Sequence, residues 1–413
     1  MPTEQVEHLL IGGGLASAKC ARTLREEGAQ GRVLLVGREP DPPYNRPNCS
    51  KGFLRGKEQR EESYVDPAGY YEEQQIELRT RTSVMKLDAD AKLAKLSTGE
   101  EVGFDKALLA TGANVRRLNV DGCQLGEIHY LRTLGNAEAI RGSAAGAEHV
   151  VIVGGSYIGC EAAASLTEMG HAVTIVMQEE VVLERGFGAQ AGRFFDELLR
   201  SHGVTIHGKD GLARFEGETR VRKVITERGL ELPADTVVIG AGVNPDVQLA
   251  RGAGLELGPS GGVRCDARLR SSCQDVYAAG DICEYDSPLH GRALRIEHWD
   301  VAFNQGATAA KNMLGGQVPH EVVPYFFSVL GDWAELEYVG PAQEWDEELL
   351  RGSTDEASFT RFYLQDGRVK AALTVGRGED LEHAGRLMGA GPLDANAKAQ
   401  LADRDSDLAS LAA

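Results

Sequence analysis

A chain of 413 residues, 42% hydrophobic and 26% charged, is long enough for two or three globular domains and needs no disorder to explain its composition. Its formal net charge of -18 opposes attraction to nucleic acid or to an anionic membrane surface. No apolar run reaches the length of a membrane span, and the early LLIGGGLASA follows Glu4 and Glu7 where a signal peptide would carry basic residues. Seven cysteines, odd in number and without a C-x-x-C pair, indicate neither a disulfide framework nor a zinc site and fit a reducing, cytoplasmic setting.

In chain order, Leu9 to Ile11 reads as a strand, Gly12 and Gly14 as a tight turn, and Ala16 to Arg25 as a helix carrying Ala18, Ala21 and Leu24 at helical spacing, with Ser17 near its start. This is the grammar of a dinucleotide-binding turn, in which glycines bring the backbone to a pyrophosphate at a helix N-terminus. Val33 to Val36 is the next strand, and Glu39 stands just past it, where a carboxylate would hold a ribose. From Val84 to Phe104 the text alternates as in a hairpin or meander, with a turn at Ser97, Thr98 and Gly99. Lys106 to Gly112 then returns to a buried strand.

Val150 to Glu161, VVIVGGSYIGCE, repeats the strand, turn and helix. One such turn is weak evidence; two, about one small domain apart, suggest a protein that holds two dinucleotides so that a hydride passes from a nicotinamide to a flavin. Gly154, Gly155, Ile158 and Gly159 form this second turn, and Ser156 stands at the second glycine, where a hydroxyl can donate a hydrogen bond instead. The strand Val173 to Val176 ends in Met177 at the usual ribose-carboxylate position, leaving Glu179 two residues late. No Arg follows at once to pair a 2'-phosphate, which favours NADH and leaves NADPH open. Glu161 lies just inside the helix, where an acid in the first turn is favourable for dipole reasons alone. Thr236 to Pro245, which includes Gly242, and Asp275 to Asp281 are further strands ending in glycines. Beyond Pro319 the glycine turns stop. Tyr325 to Val329, Tyr338 to Val339, Phe359 to Gln365 and Arg368 to Thr374 read as strands, with Asp366-Gly367 as a hairpin turn and helix signals after Gly378. The residues from about Ala395, rich in Ala and Asp, are expected to fray.

PPYNRPNCSKGFLRG, Pro42 to Gly56, resembles the P-Y-x-R-P-P-L-S-K of the FAD-dependent reductases of ferredoxins and rubredoxins that serve aromatic-ring dioxygenases and cytochromes P450, with the closely similar apoptosis-inducing-factor-like flavoproteins. Arg46, Pro47, Ser50 and Lys51 match; Asn48 and Cys49 depart. The A-T-G of Thr111 and Gly112, the L-R-T of Leu131 to Thr133, the G-D ending in Asp281 and the E-H-W of Glu297, His298 and Trp299 resemble further signatures of that family in the same order. Its P-W-F-W-S-D is replaced by Pro324 to Val329, in which Ser328 is kept and the aromatics differ.

The resemblance implies an α/β flavoprotein with two Rossmann-like dinucleotide-binding domains, glutathione-reductase-like, plus a C-terminal α+β domain. The flavin domain would comprise residues 1–114 and 236–319, the NAD(P)H domain 115–235 and the last domain 320–413. It assigns FAD contacts to Gly12, Gly14, Ser17, Glu39, Arg46, Lys51, Val84, Thr111, Gly112, Arg132, Asp281, Glu297, His298 and Trp299. The nicotinamide dinucleotide falls to the second turn with Glu161, Glu179 and Gly242. Lys51 and Glu161 are the expected ion pair at the reacting edge, tuning hydride transfer without donating the hydride. No metal site is expected. The implied partner is a ferredoxin or rubredoxin-type electron acceptor, and the implied state a monomer or weak homodimer. Two other readings stand beside this one: an NADH oxidase, peroxidase or disulfide reductase using Cys49, whose thiolate a neighbouring Lys51 would stabilise, and an apoptosis-inducing-factor-like NADH-sensing protein.

Overall fold

The computed structural model describes residues 2–411. The chain forms two compact units, the first from residues Met1–Asn45, Glu61–Asn114 and Val243–Pro324, the second from Arg46–Arg60, Val115–Gly242 and Tyr325–Ala413.

The first unit is built on a sheet whose central strand, Glu4–Ile11, pairs in parallel with Val33–Val36 on one side and Glu101–Leu109 on the other. Leu9 lies opposite both Leu34 and Ala107. Leu9 to Ile11, Val33–Val36 and Ala107 to Leu109 are apolar on both faces, as in a sheet covered on both, whereas the first halves of the two longer strands carry polar residues. Ile76–Arg79 extends the sheet beyond Val33–Val36. The expected meander is present: Val84–Asp88 pairs antiparallel with Leu93–Leu96, which in turn pairs antiparallel with the first half of Glu101–Leu109. Along its second half that strand pairs in parallel with Val276–Ala278, so the chain returns to its first sheet after a long excursion. The helices Leu15–Glu26 and Trp299–Met313 pack closely, since a Cβ at Gly306 would stand 2.3 Å from the Ala16 carbonyl oxygen.

His320, 2% exposed, packs behind this helix pair with its Nδ1 3.1 Å from Thr308 Oγ1 and its ring edge-on to Tyr285. Burial lowers its pKa from 6.5 to about 4, because the imidazolium would lose its hydration there. A lowered histidine pKa means that the unfolded chain binds the proton first, so stability is full above pH 6.5 and falls as the pH drops towards 4. His320→Gln is therefore expected to remove about 2 kcal/mol of the stability difference between pH 7 and pH 5. Urea unfolding of both proteins at the two pH values checks this; equal differences would show that the histidine is not the source.

The second unit holds a five-stranded parallel sheet in the order Thr205–His207, Ala172–Val176, His149–Val153, Thr236–Ile239, Ile128–Tyr130. Thr236–Ile239, expected to belong to the first domain again, pairs instead with His149–Val153 and Ile128–Tyr130. Its four residues are all buried and complete the sheet from which the second glycine turn springs. The hand-over to the first unit comes only after Gly242.

The C-terminal part is an antiparallel sheet in the order Tyr325–Leu330, Ala334–Val339, Arg368–Val375, Ser358–Gln365, Glu347–Ser353. Asp366 and Gly367 both have positive φ, 50° and 70°, as a two-residue hairpin turn with matching twist requires. Glu347–Ser353, EELLRGS, was not expected as a strand because it shows no alternation; it is stabilised as the sheet edge by pairing with Ser358–Gln365. Over residues 395–411 the tail is folded against the sheet rather than frayed, and the last two residues lie outside the described ones. Asp394 caps the helix Ala395–Ala402, Leu401 and Leu408 are buried, and the Arg351 guanidinium donates to the carbonyls of Asp403 and Ser406.

Candidate functional site

The first glycine turn follows the strand Glu4–Ile11. Gly12 has φ 123°, and a Cβ there would stand 2.1 Å from the Ala110 carbonyl oxygen, so only glycine fits. At Gly14 a Cβ would meet nothing within 4 Å. The helix that begins there has neither a side-chain cap nor an acid in its first turn, which leaves its N–H groups and positive dipole end for an anion. Beside it, Ser17 Oγ and Gln305 Nε2 are buried without a hydrogen-bond partner, while Gln305 Oε1 accepts from the Gly280 N–H at 2.8 Å. A buried donor without a partner costs about 1–3 kcal/mol. These two groups, together with the uncapped helix, fit a pyrophosphate.

The same unit carries Glu39, which accepts from Tyr44 Oη at 2.6 Å, and Thr111, whose hydroxyl donates to the Asp246 carbonyl at 2.7 Å. Gly112 has φ 69°. Half-buried Val84 opens its strand. Asp281 follows Gly280 at the end of Val276–Ala278, and its carbonyl accepts from Arg295 Nη1 at 3.1 Å. Glu297 pairs with the same guanidinium. His298 stands at the N-cap of Trp299–Met313 without capping it through its side chain. Trp299 Nε1 donates to Asn45 Oδ1 at 3.0 Å, and its ring stacks on Phe303.

In the second unit, Gly154 has φ 108°, and a Cβ there would stand 2.6 Å from the Gly240 carbonyl oxygen. Ser156 caps the helix Tyr157–Glu168 by accepting from the Gly159 N–H, and its own hydrogen goes to the Gly240 carbonyl at 2.9 Å. The hydroxyl is thus used by the fold rather than left for a ligand. A Cβ on Gly155 would meet Met177 Sδ at 2.3 Å, so the methionine closes the turn from behind. Glu179 forms an ion pair with Arg185, Gly242 has φ 87°, and Ile158 is 39% exposed. This cradle also fits a dinucleotide, because the glycines keep its backbone open.

Glu161 lies past the first turn of its helix, which carries no acid, so the helix dipole does not account for its presence. It is 4% exposed, and three side chains donate to it: Lys51 Nζ at 2.7 Å and Ser328 Oγ at 2.5 Å to one oxygen, Ser50 Oγ at 2.5 Å to the other. A buried carboxylate is tolerated only when paired and hydrogen-bonded in this way. One face of the helix holds the whole segment that bears Lys51. Ser165 donates to the Ser50 carbonyl at 2.7 Å, and Glu168 pairs with Arg55, whose guanidinium also meets Asp332 at 3.0 Å. Glu161, Ser165 and Glu168 recur at helical spacing. Arg46 Nη1 donates to the Arg132 carbonyl at 2.8 Å, which ties the start of the segment to the chain just before Thr133, the N-cap of the helix Leu134–Ala144.

Strand Tyr325–Leu330 reaches the same helix through Phe326, whose ring lies 4.6 Å from that of Tyr157, and Lys51 Nζ lies 5.8 Å from the Phe327 ring. The structure therefore assembles Lys51 and Glu161, as expected, and adds Ser50 and Ser328. Both serines stood in the matched motifs, but nothing local to either marked it as a partner of a glutamate more than a hundred residues away. Cys49, next to Lys51, is 3% exposed.

Two Rossmann-like cradles, each suited to a dinucleotide, and a buried lysine–glutamate pair beside one of them define an oxidoreductase that works with two nucleotide cofactors. The chain belongs to the pyridine nucleotide-disulphide oxidoreductase family, whose model matches residues 6–306; a reductase C-terminal model matches residues 328–412. It is 34% identical to the ferredoxin–NAD(+) reductase subunit of the benzene 1,2-dioxygenase system of Pseudomonas putida, over 92% of this chain and 91% of that protein. It is 35% identical to the putidaredoxin reductase of Pseudomonas putida, over 89% and 88%. Among solved structures, a ferredoxin reductase for the CYP199A2 system from Rhodopseudomonas palustris superposes with a TM-score of 0.93 at 30% identity, covering 98% of this chain and all of that one. The reductase in a covalent putidaredoxin reductase–putidaredoxin complex gives 0.92 at 32%, covering 100% and 98%. The protein is an oxidoreductase of the ferredoxin reductase type, and the family implies FAD and NAD(H) as its cofactors. Among the described residues no helix is long and apolar enough to cross a membrane.

Proposed function

We propose that this chain draws electrons from NADH and passes them to a small iron–sulfur protein, a ferredoxin or rubredoxin-type carrier that feeds a Rieske dioxygenase or a cytochrome P450. FAD, when bound, supplies the conversion of a two-electron hydride into single electrons. The observation that carries the reading is the ion pair between Lys51 and Glu161, the latter on the helix of the second glycine turn. Lys51 and Glu161 are assigned to the reacting edge, with Ser50 and Ser328 holding the carboxylate so that the ammonium keeps one position. Gly12, Gly14 and Ser17, with Gln305, are assigned to the flavin pyrophosphate, Glu39 to the ribose and Asp281 to the ribityl chain. Arg46, Val84, Thr111, Gly112, Arg132, Glu297, His298 and Trp299 are assigned as further flavin contacts.

The nicotinamide dinucleotide is assigned to Gly154, Gly155, the backbone of Ser156, Ile158, Gly159, Glu179 and Gly242. With Arg185 already paired to Glu179, that position favours a ribose hydroxyl over a 2'-phosphate, hence NADH over NADPH. The fold's support for domains at 1–114, 115–242, 243–324 and 325–413 comes from the strand pairings. A cytoplasmic monomer or weak homodimer fits this role.

Anaerobic titration with NADH tests the reading: uptake of two electrons per flavin is expected. Further uptake would point to Cys49, and very slow reduction ending in a stable charge-transfer complex to a sensor. With a ferredoxin as acceptor, kcat/KM is expected to fall as ionic strength rises, because an acidic chain must dock through a local patch of Arg and Lys. Turnover that is insensitive to salt, or faster with it, would refute charge docking.

A further inference from the structure

A cationic pocket lies in the first unit, at the N-terminal end of the strand Val276–Ala278, the end opposite to Gly280 and Asp281. It has a volume of about 140 Å³ and is lined by Lys106, Arg268, Arg270, Asp275, Tyr277 and the turn 315–317. Three stretches of chain meet there, and one side chain locks two of them. Asn312, 3% exposed, donates to the Arg268 carbonyl at 2.9 Å and the Val318 carbonyl at 2.8 Å, and accepts from the Val318 N–H at 2.9 Å. Its own carbonyl accepts from Tyr277 Oη at 3.1 Å. Leu269, between the two arginines, has φ 64° and is fully buried, so the loop turns sharply there with Arg268 and Arg270 both on the pocket. The frame is preformed.

The charges around it do not cancel. Arg270 pairs with Asp266 at 3.1 Å, and Asp275 is neutralised by Lys92 at 2.7 Å. Lys106 and Arg268 have no carboxylate within ion-pair reach among the described residues. In a chain with 62 acidic and 44 basic residues, two unpaired cations facing one pocket run against the composition. Apart from the Tyr277 ring the lining is polar, which suits an inorganic group rather than an organic body. Guanidinium forks and an ammonium are the donors that bind phosphate oxygens.

We propose that this pocket binds a phosphate group, free or as a monoester whose organic part stays in solvent. None of its cations belongs to the two dinucleotide cradles, so the site is distinct from them.

The test is calorimetric titration of the flavin-loaded full-length protein, with NAD+ in excess to fill the nicotinamide site, using inorganic phosphate and glycerol phosphate at constant ionic strength. Saturable binding is expected, weakened about tenfold or more in Lys106→Gln/Arg268→Gln through loss of two charge-assisted contacts. NADH-dependent ferricyanide reduction unchanged in that variant shows that it is folded; Arg268→Lys, which keeps the charge but not the fork, is expected to fall between. Equal affinity for the two ligands would identify free phosphate as sufficient, and tighter binding of the ester would identify an organic phosphate; both support the site. Heats that do not saturate, or affinity unaltered in the double variant, overturn it.

Discussion

Replacing Lys51 with Met is expected to cost about 3 kcal/mol of stability, because it leaves the buried Glu161 carboxylate without its cation. The loss lies at the lower end for a broken buried pair, since Ser50 and Ser328 continue to donate to it. Glu161→Gln is expected to cost less. Lys51 is 15% exposed and can reach water once released, whereas Glu161 at 4% cannot. The double variant should therefore be more stable than Lys51→Met alone. Urea midpoints for the three proteins check this, and strictly additive losses would show that the pair is not coupled. The same three proteins, mixed with NADH in an anaerobic stopped-flow instrument, are expected to bleach the flavin about tenfold to a hundredfold more slowly than the parent, through misplacement of the reacting groups. Rates equal to the parent's would remove Lys51 and Glu161 from the reacting edge.

Arg351→Met is expected to be as damaging although the residue belongs to no cofactor motif. Arg351 is 4% exposed; its Nε lies 3.3 Å from Asp380, and its Nη2 donates to the Ser406 carbonyl at 2.7 Å. It thereby fastens the tail to the edge strand Glu347–Ser353. Asp380 keeps Arg377, at 2.8 Å, and Thr360, also within hydrogen-bonding distance, so the main loss is of the carbonyl contacts and the guanidinium's packing. A cost of about 3 kcal/mol is expected, with new protease cleavage beyond residue 387. Arg351→Lys keeps the charge but cannot span two carbonyls, so it should retain stability only in part. Wild-type resistance to proteolysis in Arg351→Met would show that the tail is held by Leu401 and Leu408 alone.

Much of this protein is legible in one dimension because its motifs are local. A glycine turn between a strand and a helix needs only a dozen neighbouring residues, and Gly12 and Gly154 stand where a side chain would strike the backbone just past the end of a neighbouring strand. Parallel strands such as Val33–Val36 and Val150 to Val153 announced themselves as short apolar runs, and Asp366-Gly367 as a hairpin, whereas the short, partly polar Ile76–Arg79, Ile128–Tyr130 and Thr205–His207 did not. Readings that depended on partners far along the chain fared differently. Thr236–Ile239 looks like any buried parallel strand, and only its pairing with His149–Val153 assigns it to the second sheet. The tail from Ala395 has the composition of a fraying end, yet Arg351, roughly fifty residues upstream, binds its carbonyls. Ser156 reads as a substitute for a glycine, and the fold uses it as a helix cap.

By itself the sequence determined the two glycine turns, because local backbone geometry and residue type suffice for each, while the resemblance of its ordered motifs to a family pointed to the class of chemistry and to Lys51 and Glu161. Tertiary structure alone decided that Glu161 is shared by Lys51, Ser50 and Ser328, that Arg351 secures the tail, and that Lys106 and Arg268 face one pocket. Each of these joins residues whose separation in sequence leaves no periodic or compositional trace, and whose energies arise only when burial removes the water that would otherwise solvate them.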